Sequence, residues 1–160
     1  EQELFIAVVD KFWFSTQNPR NKFTETNGTF AEFIDEYVRG VQRTMDMLGD
    51  LIGAEREKVA QGKFTYHAQY FHFLFQLLQY DPDAKEKLRN LVEVDYAYWR
   101  AAIQRAIATG ELREDVDVED AVVMFRQVYM GLSFEMAFMG GLNTQRLAKH
   151  LHAVYSLLKR

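Results

Sequence analysis

The stretch FTYHAQYFHFLFQLLQY, residues 64–80, decides the fold that this chain is expected to adopt. Successive residues of an α-helix are turned by about 100°, so the stretch has one narrow polar face, with His67 opposite it. That face carries no formal charge and consists of Thr65, Gln69, His72, Gln76 and Gln79. The wide apolar arc predicts a helix that protein covers on most sides. One interpretation is a central core helix with an amide-rich edge. The other is one wall of a ligand cavity, since Tyr and His side chains combine an apolar body with a polar tip.

Helical patterns also fill most of the sequence on both sides of this stretch. Apolar residues recur at helical spacing, and no β-strand alternation of useful length is present. Residues 15–28 predict a polar loop, since they include Asn18-Pro19 and Asn27-Gly28. Residues 54–61 are either a short helix or a solvated connection. The predicted helices are residues 3–14, 30–48, 64–80, 82–109, 117–139 and 143–160.

Residues with known capping preferences mark the helix ends. Thr29 and Glu32 have the spacing of a capping box, and Asp81-Pro82 both stops one helix and starts the next. Gly110 supplies a left-handed stop. We therefore expect an all-α fold in which residues 1–160 form a single bundle of about six helices.

Composition excludes several classes of partner and chemistry. The 160 residues carry a net charge of −4, which argues against nucleic acid as a direct partner of this chain. Cysteine is absent, which excludes disulfides and thiolate chemistry and fits a reducing cytoplasm. No apolar run approaches the length of a membrane span, so we expect no membrane association.

Motifs for catalysis or metal binding are also missing from the sequence. None of the four histidines has a glutamate three residues before it, as a ferritin-like di-metal site requires. His67 and His72 are five residues apart, so on one helix they point away from each other. There is no phosphate-binding glycine loop and no nucleophile elbow. We expect no enzyme activity, no metal and no cofactor.

Two carboxylates interrupt apolar helix faces. Asp95 falls inside the apolar stripe of the helix 82–109, and Glu135 is flanked by apolar residues on the helix 117–139. A buried carboxylate without a partner costs several kcal/mol or takes up a proton. We expect each to be paired, with a Tyr hydroxyl, His67, Arg126 or a bound cation as the candidates. Each is a structural acid, a polar anchor for a ligand or a dimer contact, or, in an enzyme, a base.

A ligand pocket is predicted between the helices 30–48, 64–80 and 82–109. The side chains expected to line it have polar tips on apolar faces: Tyr37, Tyr66, His67, Tyr70, Asp95 and Trp99. An ionised Asp95 would favour a cationic ligand, and a protonated Asp95 would donate to a neutral one. The competing expectation is that these six residues pack against each other.

The last two helices carry more apolar surface than one bundle covers. This excess predicts a two-fold homodimer whose interface includes Met130, Phe134, Ala137, Leu147, Leu151 and Val154. The small residues Gly131, Ser133 and Ala137 would allow close helix approach. A monomer with one wholly buried helix is the alternative.

Four segments resemble the TetR family of bacterial transcription regulators. They are EQELF at residues 1–5, FIDEY at 33–37, AIATGELR at 106–113 and MGL at 130–132. The first resembles the junction after the family's DNA-reading head, and the third resembles the turn before its dimer helices. The helix-turn-helix head itself is absent from this chain.

The resemblance implies a function that the residues alone do not. It implies the ligand-binding and dimerisation domain of a cytoplasmic regulator, commonly a transcriptional repressor, which binds a small apolar or aromatic molecule. Contact with DNA would be made only through the missing N-terminal domain. The alternative is a stand-alone helical carrier or sensor of an apolar or aromatic small molecule.

Overall fold

A computed structural model describes residues 2–14, 17–23, 28–51 and 66–160 of the chain. In these ranges the protein is an all-α bundle, as the sequence predicts, and no β-strand is formed. A π-helical turn, Val9–Trp13, continues the first helix, and a 3₁₀ turn covers Pro19–Asn21. The α-helices of the described ranges are α1 Gln2–Val8, α2 Phe30–Leu51, α3 Tyr66–Tyr80, α4 Ala84–Ala108, α5 Val118–Met139 and α6 Thr144–Leu158.

Most helix boundaries follow the predicted capping residues, but α4 begins at Ala84 with Asp83 at its N-cap, two residues after the predicted start at Pro82. Thr29 Oγ1 accepts the amide of Glu32 at 3.2 Å, and Glu32 Oε2 accepts the amide of Thr29 at 2.8 Å, which confirms the capping box. Gly110 has φ 78°, the left-handed conformation expected after α4. α2 runs to Leu51, beyond the predicted end at Leu48. The expectation for residues 54–61 lies outside the described residues.

Glu111 ties three parts of the bundle together. Its carboxylate accepts the amides of Phe30 and Ala31 at 2.8 and 3.3 Å, so it caps the first turn of α2 from a distant part of the sequence. The same carboxylate accepts the hydroxyl of Tyr155 on α6 at 3.0 Å. An acid is favourable at a helix N-terminus because the first amides are unpaired and the helix dipole is positive there. The turn between α4 and α5 therefore fixes both α2 and α6.

Trp99 of α4 lies at the centre of the hydrophobic core. It is 0% exposed, and its ring stacks on Phe125 of α5 at 5.1 Å with an interplanar angle of 7°. Phe33 and Tyr37 of α2 meet the indole edge to face, at centroid distances of 5.1 and 4.8 Å. Aromatic pairs in these geometries add to the stabilisation from burial. The core thus joins α2, α4 and α5, and α6 closes it.

Residues 17–23 cross the outside of α2, and this part of the predicted loop contains a 3₁₀ turn and several buried side chains. Lys22 and Phe23 are buried, and the ring of Phe23 stacks on Tyr98 at 4.5 Å. The crossing is close because α2 has a glycine at this point. A Cβ added to Gly40 would lie 2.2 Å from the carbonyl oxygen of Lys22. Hydrophobic burial of Phe23 therefore overrides the polar character of its neighbours.

This close crossing predicts that Gly40→Ala destabilises the protein. Alanine favours a helix over glycine by about 1 kcal/mol, but here the methyl group would clash with the Lys22 backbone, which cannot rotate away as a side chain can. We expect the free energy of unfolding in urea to fall by about 1–3 kcal/mol. Ala101→Gly, at an exposed position of α4, measures the propensity contribution alone. A Gly40→Ala variant as stable as the parent would contradict the crossing.

Candidate ligand site

An ion pair between α4 and α5 forms the centre of the candidate site. Asp95 is 2% exposed, and its Oδ2 lies 3.0 Å from Nε of Arg126. The expectation that Asp95 has a charged or hydrogen-bonding partner is confirmed, and the partner is Arg126. Burial alone would lower the pKa of Arg126, but the charge of Asp95 and smaller contributions from nearby tyrosines raise it. Arg126 therefore stays protonated inside the bundle.

Aromatic residues with polar tips surround this ion pair. The guanidinium of Arg126 lies 5.5 Å from the ring centroid of Tyr129, which meets Tyr37 edge to face at 5.8 Å. Burial raises the pKa of Tyr37, and the charge of Asp95 raises it further. Burial likewise raises the pKa of Tyr70. Both hydroxyls therefore remain protonated at neutral pH and can donate hydrogen bonds. We call the following set the buried polar cluster: Tyr37, Tyr70, Asp95, Trp99, Arg126 and Tyr129.

Several polar atoms of the buried polar cluster have no hydrogen-bond partner among the described residues. They are the Tyr37 hydroxyl, Asp95 Oδ1, Trp99 Nε1 and Arg126 Nη1. Buried polar groups in proteins are nearly always hydrogen-bonded, and an unpaired one costs about 1–3 kcal/mol. Unpaired groups concentrated at one place are typical of a site that binds a polar partner.

A small cavity adjoins the buried polar cluster. Its volume is about 10 Å³, enough for about one water molecule. Tyr70 and Tyr129 belong both to its wall and to the cluster, so the cavity and the ion pair form one site. The residues that line it come from the crossing segment and from α2, α3 and α5: Gln17, Val41, Thr44, Met45, His67, Tyr70 and Tyr129.

Lys22 adds a second buried cation beside this cavity. The residue is 7% exposed, and its Nζ lies 5.1 Å from the ring centroid of Tyr129. Its charge also acts on His67. Burial, and then the charge of Lys22, lowers the pKa of His67 from 6.5 to about 4. His67 is therefore neutral at physiological pH, and the positive charges of the site are those of Lys22 and Arg126.

A second, open groove of about 220 Å³ lies at the far end of α4. It runs between the start of α2 and the last turn of α4, beside Phe33, Arg105 and Glu111. The carboxylate of Glu111 is already occupied by the α2 amides and Tyr155. This carboxylate of the groove is therefore engaged in holding the bundle together.

The structure brings most of the predicted pocket residues together. Tyr37, Tyr70, Asp95 and Trp99 meet in the buried polar cluster, and His67 lines the cavity beside it. Tyr66 begins α3, but its side chain lies outside the described part of the chain. The position of the void differs from the expected one, because the small cavity borders α2, α3 and α5 and neither described cavity is lined by Asp95 or Trp99.

Sequence reasoning missed three residues of the site. Gln17 and Lys22 fall in the predicted polar loop, and Tyr129 belongs to a helix that is apolar on nearly all sides. The available signal was Gly40, a glycine beside the apolar stripe of α2, at a position where alanine would favour the helix. Such a glycine indicates that another backbone comes close.

Glu135 is not the buried acid that its apolar neighbours suggest, and its alternative role as a dimer contact stays a prediction. It is exposed, whereas Asp95 is buried. The neighbours that suggested burial are themselves on the outer face of α5: Met124 is 40% exposed and Phe138 is 70% exposed. An apolar row on a helix shows that the row needs cover, not that its own subunit covers it.

The outer face of α5 and α6 differs from the predicted dimer surface. Leu147 and Leu151 are 0% exposed and Ala137 is 5% exposed, so these three pack inside the subunit. Met130 and Val154 are half-buried, and Phe134 is 48% exposed. We define the outer apolar face as the exposed residues Val123, Met124, Phe134, Phe138, Met139 and Leu157. On α6 the exposed apolar side chain is therefore Leu157, which lies beside the row of Leu147, Leu151 and Val154 predicted for the interface.

The described helices and acidic or histidine side chains show neither a membrane span nor a metal site. None of their helices is long and apolar enough to cross a membrane. No group of three or more potential ligands from His, Cys, Asp and Glu is placed to hold a metal ion within these ranges.

Comparison with known proteins identifies the family. The family described as "Tetracyclin repressor-like, C-terminal domain" matches residues 41–151, more than half of the chain, and the chain belongs to this family. The match runs from α2 into α6 and includes every cavity-lining residue except Gln17. No curated protein and no solved structure gives a significant match. The resemblance drawn from the sequence is thereby confirmed.

The lowered pKa of His67 predicts a loss of stability on acidification. The unfolded chain binds a proton at this residue below pH 6.5, whereas the folded chain binds it only below about pH 4. The stabilisation that neutral His67 contributes is therefore complete above its pKa in the unfolded chain, 6.5. It falls as the pH drops toward its pKa in the folded chain, about 4. At about pH 5 we expect a loss of about 2 kcal/mol relative to about pH 7.5.

Urea unfolding of the parent, His67→Gln and His72→Gln at both pH values measures this contribution. His72 is exposed on the same helix and serves as the matched control. We expect His67→Gln to reduce the pH dependence by about 2 kcal/mol and His72→Gln to leave it nearly unchanged. Equal pH dependence in His67→Gln and the parent would contradict the burial of a neutral imidazole.

Proposed function

We propose that this chain is the effector-binding and dimerisation domain of a cytoplasmic TetR-type transcriptional repressor. A small molecule with an apolar or aromatic body binds at the buried polar cluster and the adjoining cavity. A helix-turn-helix head outside these 160 residues would contact DNA. The observation that carries the proposal is the Asp95–Arg126 pair, buried among polar atoms without partners beside a cavity, in a domain of this family.

The cavity is too small in this structure for an organic molecule, so binding requires helices to move apart. The wall that α3 supplies consists of His67 and Tyr70. Further along the same helix, Leu77 is buried against Val9, which follows α1, and against Ala84 of α4. A displacement of α3 by a ligand would therefore reach the segment that follows α1 through direct packing.

An ion-pair bridge holds the same segment to α4. Lys87 Nζ lies 2.7 Å from Asp10 and 2.9 Å from Asp81, which follows α3. Lys87 thus joins the π-helical turn after α1, the α3–α4 turn and α4 itself. By resemblance to the family, α1 is the first helix after the DNA-reading head. These contacts give the ligand site a physical route to that head.

The outer apolar face is the surface we assign to dimerisation. Phe134, Phe138 and Leu157 are between 48% and 70% exposed on two neighbouring helices, more than isolated surface residues explain. Gly131 lies on the exposed side of α5, and a Cβ added there would meet no atom within 4 Å. None of the described residues of the subunit requires glycine at this position, whereas close approach of a partner helix would.

Substitutions on this face test the proposal. Phe134→Asp and Leu157→Asp place a charge in the interface, and we expect both variants to be monomers where the parent is a dimer, with helical circular dichroism unchanged. Leu4→Asp, a similarly exposed position on α1, is the matched control and should remain dimeric. Leu151→Asp should instead unfold the subunit, because Leu151 is buried in the core.

Light scattering and analytical ultracentrifugation at high micromolar concentration provide the readout. A parent chain that is monomeric under these conditions would overturn the dimer proposal. Loss of the dimer in Leu4→Asp, with Phe134→Asp still dimeric, would place the interface elsewhere.

A further inference from the structure

We propose that the effector is a small organic acid, whose carboxylate binds beside Lys22 and whose apolar or aromatic body packs against Tyr70 and Tyr129. This inference rests on the proposed ligand-binding function and adds the charge and chemical class of the ligand. It follows from the charge balance, the hydrogen-bonding balance and the surface of the site.

The charge balance is positive. Arg126 and Asp95 neutralise each other at 3.0 Å, so the expectation of a cationic ligand drawn to a free Asp95 loses its basis. Lys22 is nearly as buried, and no carboxylate within the described ranges pairs with it. His67 is neutral because its pKa is lowered to about 4. The site therefore has one positive charge in excess, and a buried cation favours an anion as its partner.

The hydrogen-bonding balance is rich in donors. Gln17 Nε2, Trp99 Nε1 and Arg126 Nη1 are buried N–H donors for which the described residues supply no acceptor. Asp95 Oδ1 is the buried carboxylate oxygen left without a donor in the same region. A carboxylate presents two oxygens and about four acceptor positions, so it complements this set better than an amine or an alcohol does.

The walls of the cavity define the rest of the molecule. Val41 and Met45 offer apolar surface, and Tyr70 and Tyr129 offer aromatic faces. An inorganic anion would use the cations but leave these walls without contact. Met is flexible and fills irregular spaces, so Met45 can move as the cavity opens. The site thus fits an anionic head joined to an apolar body.

Lys22 provides a test that needs no knowledge of the natural effector. If this lysine is held for an anionic ligand, it is an unfavourable buried charge in the free protein. Lys22→Met should then raise the midpoint of thermal unfolding by about 2–5 °C. Lys87→Met is the matched control, since Lys87 has two carboxylate partners, and should lower it. If Lys22→Met lowers the midpoint of thermal unfolding as much as Lys87→Met does, Lys22 is a structural residue and the proposal is overturned.

Binding probes of matched shape test the charge directly. Benzoate and benzamide differ in charge but hardly in size, and inorganic phosphate has the charge without the apolar body. By calorimetry with the 160-residue chain, we expect benzoate to bind about tenfold or more tightly than benzamide and phosphate. We expect Lys22→Met to lose about tenfold in benzoate affinity and to keep its affinity for benzamide.

The outcomes separate the two levels of the proposal. Benzamide binding as tightly as benzoate would leave a ligand-binding domain but refute the organic acid. Phosphate binding as tightly as benzoate would refute the apolar body. No binding of any of the three probes would count against both the organic acid and the proposed function.

Discussion

The ion pair between Asp95 and Arg126 fixes how α4 and α5 meet. Each charge alone would be strongly unfavourable at this depth, so the two helices are held in the register that keeps Nε and Oδ2 at 3.0 Å. One turn along α4, Trp99 then stacks on Phe125, the neighbour of Arg126 on α5. The aromatic core and the polar site therefore depend on the same alignment. This explains why charged groups occupy a position that apolar residues could fill.

The crossing segment and Glu111 complete the site from outside the two central helices. Gly40 lets residues 17–23 lie directly on α2, and this brings Lys22 to the ring of Tyr129. Glu111 holds the opposite end of α2 by accepting its first amides. α2 is thus anchored at its start and overlaid near its middle. Movement of α2 on ligand binding is accordingly restrained at both places.

The sequence predicts what depends on local chemistry. The capping box at Thr29 and the left-handed stop at Gly110 are properties of a few adjacent residues, and both are found. Asp95 is identifiable because a carboxylate inside an apolar stripe needs a partner. The same signal does not reveal that Glu135 is exposed, and the apolar row of Leu147 and Leu151, predicted to face a partner, is buried within the subunit. Helical periodicity locates apolar rows but does not show which row faces inward when a helix has two. Contacts between segments far apart in sequence, such as that of Lys22 with α2, cannot be predicted from local patterns. The sequence indicates this contact only indirectly, through the glycine at position 40.

A double-mutant cycle on Asp95 and Arg126 tests the central constraint most directly. Urea unfolding of Asp95→Leu, Arg126→Met and the double variant gives the coupling energy between the two sites. We predict that each single variant loses about 3–5 kcal/mol, because a buried charge is left unpaired, and that the double variant recovers most of this loss. Single losses that simply add in the double variant would show that the two charges are independent, and would contradict the account.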